Sequence, residues 1–126
     1  MKREIKIRVV KKALRNGKIF NKIYKLREWR GSDPLWEGEG TYQIISIDEF
    51  TSLKDENGVD IYESDIVKTE TDKPMVVTWS KKFASFCLNR DGWAFQHWFG
   101  EAVNPEKCKV IGNIHKNPEL LKPLKN

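Results

Sequence analysis

Two cysteines and two histidines are the residues of this chain best suited by type to hold a metal ion or to attack a substrate. Cys87, His97, Cys108 and His115 follow one another at spacings of ten, eleven and seven residues. Zinc sites usually draw their ligands from close pairs, and this set contains none. A cysteine–histidine nucleophile needs an activated thiol, and nothing in the sequence marks either thiol in that way. We therefore expect no metal and no cysteine-based catalysis.

Acidic residues are a second group with the chemistry for catalysis, as general acids and bases. Without a motif, however, carboxylates reach catalytic distance by chance, and the chain has no glycine-rich loop that would hold phosphate. The segment 62–67 (YESDIV) resembles the turn into a strand of SH3-like small barrels, in which Asp65 would bind backbone N–H groups. We predict that the protein is not an enzyme and has no cofactor and no small-molecule substrate. The acids considered are Asp55, Glu56, Asp60, Glu63 and Asp65.

Large aromatic residues are concentrated in one part of the chain. Core packing is their commonest role, but the narrow interior of a small barrel cannot bury them all. Some are therefore expected at a subunit interface, where aromatic residues are enriched, or as stacking platforms for single-stranded nucleic acid. The set consists of Trp79, Phe83, Phe86, Trp93, Phe95, Trp98 and Phe99.

Charge is distributed unevenly along the chain, whose net charge is +5. Residues 1–30 contain twelve basic and two acidic residues, for a net +10, whereas residues 48–72 contain nine acidic and two basic residues, for −7. Such asymmetry is typical of a basic surface for nucleic acid, or of complementary surfaces that meet within one chain or between subunits. The sequence favours the second interpretation, since the acidic block can neutralise the basic one.

The elements that must position these residues are short strands. Residues 4–10 alternate between apolar and basic side chains, as a half-buried strand does, and Asn16-Gly17 predicts a turn into a second strand at residues 18–26. Together they predict a basic N-terminal β-hairpin. Further strands are predicted at residues 41–47, 76–79, 83–88 and 110–114, with a turn at residues 55–58 (DENG) and a bulge at Gly112.

These strands predict a mainly β fold, a small antiparallel barrel, SH3-like or related. A short helical turn is expected to begin at Pro118, with Asn117 as its cap. At 126 residues the chain is expected to form one domain, 1–126. The N-terminus has no apolar run of signal-peptide length and no segment is long enough to span a membrane, so we expect an unprocessed, soluble protein. The two cysteines fit a reducing cytoplasm.

Two segments carry a resemblance to a known family. Residues 50–67 (FTSLKDENGVDIYESDIV) and 110–121 (VIGNIHKNPELL) resemble the signature segments of the YopX family of phage and prophage proteins, and the opening MKREIKIRVV is similar to its start. They cover about a third of the chain. Ser52 and Ser64 stand where the family usually has Gly, a residue that suits tight backbone. The resemblance implies a largely β fold, a phage-type origin and a bacterial host, but no established activity.

Two functions follow as hypotheses. The first is a non-enzymatic interaction or assembly protein that forms a homo-oligomer through aromatic and charge-complementary surfaces. The second is a nucleic-acid-binding accessory protein that uses the basic hairpin with aromatic platforms. Neither involves a membrane, and both would act in the bacterial cytoplasm. The residues predicted to contact a partner subunit or nucleic acid are Lys6, Arg8, Lys22, Lys25, Trp93, Trp98 and Phe99.

Overall fold

The computed structural model describes residues 4–29, 42–69, 73–82, 84–89, 97–98 and 104–121, and for residues 97–98 the backbone alone. These residues form a mainly β fold, as predicted. The nine strands they contain are β1 (Lys6–Ala13), β2 (Ile19–Lys25), β3 (Tyr42–Lys54), β4 (Asp60–Tyr62), β5 (Asp65–Lys68), β6 (Pro74–Ser80), β7 (Ser85–Asn89), β8 (His97–Trp98) and β9 (Lys109–Asn113).

The chain divides into two compact units, Met1–Phe50 and Thr51–Asn126. In the first unit, β1 lies between β2 and β3 and is antiparallel to both. As the central strand, β1 is buried along most of its length, whereas β2 lies at the edge and is largely exposed. The predicted N-terminal hairpin is therefore confirmed, and its first strand extends three residues beyond the predicted end.

The hairpin closes through the loop of residues 14–17. The N–H of Gly17 donates to the carbonyl of Ala13 at 2.8 Å, and the N–H of Ala13 donates to the carbonyl of Lys18 at 2.9 Å. Gly17 has a φ of +72°, which a residue without a Cβ adopts at little cost. Asn16 accepts from the N–H of Lys18 through its side chain. The Asn-Gly pair thus ends a four-residue loop rather than forming a two-residue turn.

The second unit is built around a five-stranded antiparallel sheet of order β8-β7-β6-β5-β9. Its core contains Ile61, Val67, Met75, Val77, Leu88 and Cys108. The predicted turn at residues 55–58 is confirmed, with the N–H of Gly58 donating to the carbonyl of Asp55 and a φ of +77° at Gly58.

The predicted closed barrel is not what the described strands form. They pair into two open sheets, β2-β1-β3-β4 and β8-β7-β6-β5-β9, and no pairing among the described residues joins the ends of either sheet. The SH3-like detail is accordingly not confirmed. The alternating pattern identified half-buried strands correctly, but a two-residue period shows only that one face is covered and says nothing about which strands pair.

Helical structure in the described residues consists of three short 3₁₀ segments, Leu26–Glu28, Pro105–Lys107 and Pro118–Leu121. The last begins at Pro118, as predicted. The side chain of Asn117 accepts a hydrogen bond from the backbone N–H of Asn113, 3.2 Å away, so it holds the preceding strand end instead of reaching forward as a cap. Among all the described residues, no helix has the length and apolar composition needed to cross a membrane.

The predicted bulge at Gly112 is confirmed, and a close side-chain approach explains why the residue there is glycine. The β5–β9 register shifts there, since Ile66 pairs with Gly112 and Val67 with Val110, which leaves Ile111 as the extra residue. A Cβ on residue 112 would overlap the side chain of Asn117, with its Cγ at 2.8 Å. Glycine is needed at this position because Asn117 packs directly against its backbone.

Gly112→Ala is therefore expected to lower the free energy of unfolding by about 1–2 kcal/mol, through overpacking against Asn117. Denaturant unfolding followed by circular dichroism measures this change. In the background of Asn117→Gly, which removes all three overlapping atoms, the same substitution should cost much less. Equal costs in both backgrounds would contradict the explanation.

Candidate interaction surface

Arg8 and Asp48 form a buried ion pair across β1 and β3. They stand opposite each other in the strand register, and Arg8 Nη2 lies 2.9 Å from Asp48 Oδ2. Their side chains are 8 % and 2 % exposed, and the hydroxyl of Ser46 donates to Asp48 Oδ1 at 2.6 Å. The basic N-terminal stretch and the acidic block at residues 48–72 thus meet within one chain at this pair. Both charges are used to hold the sheet of the first unit together.

Asp55 organises the turn between β3 and β4. Its Oδ1 accepts from the backbone N–H groups of Asn57 and Val59, and its Oδ2 accepts from the N–H of Val110 at 2.9 Å. Burial acts to raise the pKa of this carboxyl, but the three N–H donors and the positive charge of Lys109 outweigh it, and the pKa lies below its ordinary value of 3.8. The carboxylate therefore holds the turn to β9 and is not poised for proton transfer.

Asp65 holds the turn between β4 and β5, as predicted. Its Oδ2 accepts from the backbone N–H of Tyr62 at 2.8 Å, and the side chain is buried. Ser64, the preceding residue, has a φ of +74°, and Ser52 has a φ of +71°. These are the two positions where the resemblance places glycine. Both serines thus adopt the left-handed backbone conformation that glycine takes easily, although a side chain disfavours it.

Ser64→Gly is expected to raise the free energy of unfolding by about 0.5–1 kcal/mol, because glycine relieves the left-handed strain but loses more entropy on folding. Thermal or denaturant unfolding is sufficient to detect it. Ser85→Gly in β7, where φ is not positive, serves as the control and should be destabilising. A loss of stability in Ser64→Gly comparable to that of the control would count against strain at residue 64.

The cysteines are buried, free thiols. Cys108 belongs to the core of the second unit and its thiol faces the carbonyl oxygen of Asn104 at 3.3 Å, while Cys87 faces Ser85. The backbone N–H of His115 donates to the side chain of Asn113, and the side chain of His97 is not among those described. Within the described residues no group of three His, Cys, Asp or Glu side chains is arranged to hold a metal ion.

The basic residues predicted to contact a partner have different surroundings. Lys6 is mostly buried, with its ammonium 3.7 Å from Glu4 and 4.5 Å from the centre of the Phe50 ring. Arg8 is buried on Asp48, so its charge is not presented at the surface. Lys22 is partly exposed, with its ammonium 5.3 Å from the centre of the Tyr24 ring, and Lys25 is exposed. The surface charges predicted for the hairpin thus lie mainly on β2.

The aromatic residues predicted for the same role fall largely outside the described part of the chain. Trp93 and Phe99 lie beyond it, as do Phe83 and Phe95, and the side chain of Trp98 in β8 is not described. Trp79 is 44 % exposed and packs edge-on against Phe86, with ring centres 5.0 Å apart. Phe86 in turn contacts the core of the second unit. Part of the Trp79 ring therefore lies at the surface of the second unit.

Exposed apolar side chains are concentrated in the first unit, which the sequence patterns did not indicate. Of nine large exposed hydrophobic residues among those described, seven lie in Met1–Phe50. Three of them, Ile44, Ile45 and Ile47, are on β3, and their exposed fractions are 39 %, 39 % and 47 %. Residues 42–47 (YQIISI) contain no charge in a chain of which 33 % is charged. We call these six residues the β3 strip.

The β3 strip is shaped by a bulge. Val9 pairs with Ile47 and Lys11 with Ile44, so that Ile45 is the extra residue on β3. Side chains opposite each other in register lie on the same face of a sheet, and Ile44 and Ile47 therefore share a face. In a regular strand without the extra residue, side chains three positions apart would lie on opposite faces. The bulge thus concentrates apolar surface on one side of the first unit.

Net charge also separates the two units. Met1–Phe50 contains twelve basic and seven acidic residues, for +5, and Thr51–Asn126 contains eleven of each, for zero. In the acidic block, Asp48, Asp55 and Asp65 are buried in internal hydrogen bonds, and Asp60 pairs with Lys54 at 3.1 Å. Fewer acids therefore remain for the basic hairpin of a neighbouring subunit than the sequence suggested.

Comparisons with known proteins agree with this fold. The family model described as "YopX protein" matches residues 6–122, nearly the whole chain. The crystal structure of protein EF1440 from Enterococcus faecalis is similar in fold, with a TM-score of 0.50 and 18 % sequence identity over 92 % of this chain and 98 % of that one. No curated protein shows significant sequence similarity.

Proposed function

The chain belongs to the YopX family, and from the surface of its first unit we propose that it is a non-enzymatic interaction protein that assembles with further copies of itself. The observation that carries this proposal is the β3 strip, with three exposed isoleucines in an uncharged segment. Aliphatic surface of this kind gains free energy when a partner covers it.

A second copy of the chain is the partner that the β3 strip fits. In a twofold-symmetric contact the same patch faces itself, so any charge near the axis would meet a like charge. The strip has none. The strip adjoins lysines of β1, since Lys11 and Lys12 stand opposite Ile44 and Gln43 in the strand register. Lys11 is buried and Lys12 is exposed, so the contact we propose is centred towards Ile47, away from the Lys12 ammonium.

The structural roles of the potentially reactive side chains support the proposal of a non-enzymatic protein. The buried carboxylates of Asp48, Asp55 and Asp65 accept hydrogen bonds that hold strands and turns, and the thiols of Cys87 and Cys108 are buried. Groups used in this way are not available to substrate. We also propose a phage-type origin, in line with the family resemblance, and a reducing bacterial cytoplasm, which suits two free cysteines.

Light scattering at micromolar concentration in moderate salt tests self-association. We expect a mass that is a multiple of 14.8 kDa and that falls on dilution. A mass of 14.8 kDa across the whole concentration range would reject the proposal.

A further inference from the structure

Strand β2 carries ammonium groups and aromatic rings in alternation along one face. Lys18 Nζ lies 5.1 Å from the centre of the Phe20 ring, and Lys22 Nζ lies 5.3 Å from the centre of the Tyr24 ring. Because successive side chains of a strand point to opposite faces, Phe20, Lys22 and Tyr24 share one face of β2, and Lys18, the residue before the strand, places its ammonium over the Phe20 ring of that face. We call these four residues the β2 ladder. Lys18 is exposed and the other three are partly exposed.

Two further aromatic residues support the rings of the β2 ladder. Tyr42 meets Phe20 edge-on, with ring centres 5.9 Å apart, and Trp29 lies against Tyr24 at 4.9 Å. Contacts of this kind fix the orientation of a ring. The two ladder rings are thus held in place before any ligand arrives, which lowers the entropy lost on binding.

The surroundings of the β2 ladder are strongly basic. Residues 11–27 contain seven Lys or Arg and no acid, and the whole net charge of the chain belongs to the first unit. An edge strand with this composition favours a polyanion. Rings spaced between the cations favour, among polyanions, one that has flat groups to stack on them.

We infer that the β2 ladder binds single-stranded nucleic acid, with phosphates at Lys18 and Lys22 and bases on Phe20 and Tyr24. The lysines now lie over these rings, a contact that is weak for exposed side chains, and stacking of a base is stronger. Single strands are preferred over duplex because only unpaired bases offer their faces. This inference rests on the proposed role as an interaction protein and adds a second partner, at the β2 ladder, which adjoins the β3 strip where the Tyr42 ring meets Phe20.

Fluorescence anisotropy with the full chain and a labelled oligothymidylate of about 20 nucleotides, long enough for a site of ~4–16 nucleotides, tests the inference. Binding is expected to weaken steeply from about 50 to 200 mM salt. The double variant K18E/K22E should bind at least about 10-fold more weakly, and the slope of log affinity against log salt should fall by ~1.4, or ~0.7 for each phosphate contact.

The control is K81E/K82E, which reverses two exposed lysines of the β6–β7 turn and gives the same net charge of +1. It should weaken binding less than about 3-fold, because only long-range attraction changes. Tyr24→Leu should weaken binding about 10-fold with the salt slope unchanged, since stacking involves no counterion release. Circular dichroism of each variant verifies that it is folded.

Three results would overturn the inference: no binding of oligothymidylate at the lowest salt, equal losses in the two double variants, or duplex DNA bound as tightly as the single strand. Preferential binding of polyglutamate would identify an acidic protein as the partner and would also overturn it. Light scattering on the same samples separates this test from the proposed self-association. Oligothymidylate left unbound even at protein concentrations low enough for the chain to be monomeric rejects only the ladder, and a chain that is monomeric at every concentration but binds oligothymidylate rejects only self-association.

Discussion

Replacement of Asp48 by Ala is expected to lower the free energy of unfolding by about 3–5 kcal/mol, the largest effect of any single change considered. The substitution leaves the guanidinium of Arg8 buried without the carboxylate that lies 2.9 Å from it. The guanidinium then stays buried but loses the charge-assisted hydrogen bonds that its Nε and Nη2 donate to Asp48, so much of its desolvation is no longer compensated. Denaturant unfolding at neutral pH measures the difference between wild type and variant.

Two controls distinguish the buried pair from a general effect of removing an acid. Glu49→Ala, at the next position of β3, removes an exposed carboxylate and should change stability by less than about 0.5 kcal/mol. The double variant Arg8→Met with Asp48→Ala removes both charges and should recover much of the loss. If Asp48→Ala and Glu49→Ala lowered the free energy of unfolding equally, the Arg8–Asp48 pair would not determine the stability of the first unit.

Asp55→Asn is expected to lower the free energy of unfolding by about 2–3 kcal/mol at neutral pH. An amide accepts through only one atom, so the N–H groups of Asn57 and Val59 can keep their acceptor while the N–H of Val110 then faces an NH₂ group. The charge that strengthens all three bonds is lost as well. Denaturant unfolding at several pH values provides the measurement.

The pH dependence of this difference has a defined sign. The pKa of Asp55 is lowered in the folded chain, so its stabilising contribution is fully present above the unfolded value of about 3.9 and disappears as the pH falls through the folded value. Wild type and Asp55→Asn should therefore converge in stability below about pH 4. Glu56→Gln, the adjacent exposed acid, should show a small difference at every pH. A gap between wild type and Asp55→Asn that stays constant into acid would contradict the assignment.

Local signals in the sequence were sufficient for the elements whose cause is local. The Asn16-Gly17 pair and the alternation of β1 predicted the hairpin, and the DENG segment predicted the turn that ends at Gly58. Asp65 and Pro118 were assigned correctly for the same reason: each acts on backbone groups within three residues of itself. Short-range hydrogen bonds and fixed φ values depend little on the rest of the chain.

The candidate surface depended on contacts that no local pattern contains. Arg8 was placed on an exposed face, yet β1 is a central strand and its partner Asp48 is 40 positions away. A strand was predicted at residues 41–47, but neither the exposure of its isoleucines nor the bulge that brings Ile44 and Ile47 to one face was predicted. An alternating pattern cannot identify an extra residue or the strand opposite. The closed barrel failed as a prediction for the same reason.

A comparison of Ile47→Asp with Ile23→Asp by light scattering distinguishes self-association through the β3 strip from association through another surface. The two isoleucines are almost equally exposed, at 47 % and 44 %, and stand on β3 and β2. Ile47→Asp places like charges near the axis of a symmetric contact and should reduce the mass to 14.8 kDa, whereas Ile23→Asp should keep the mass of the wild type. An Ile47→Asp variant that is folded and has the mass of the wild-type oligomer would contradict the account.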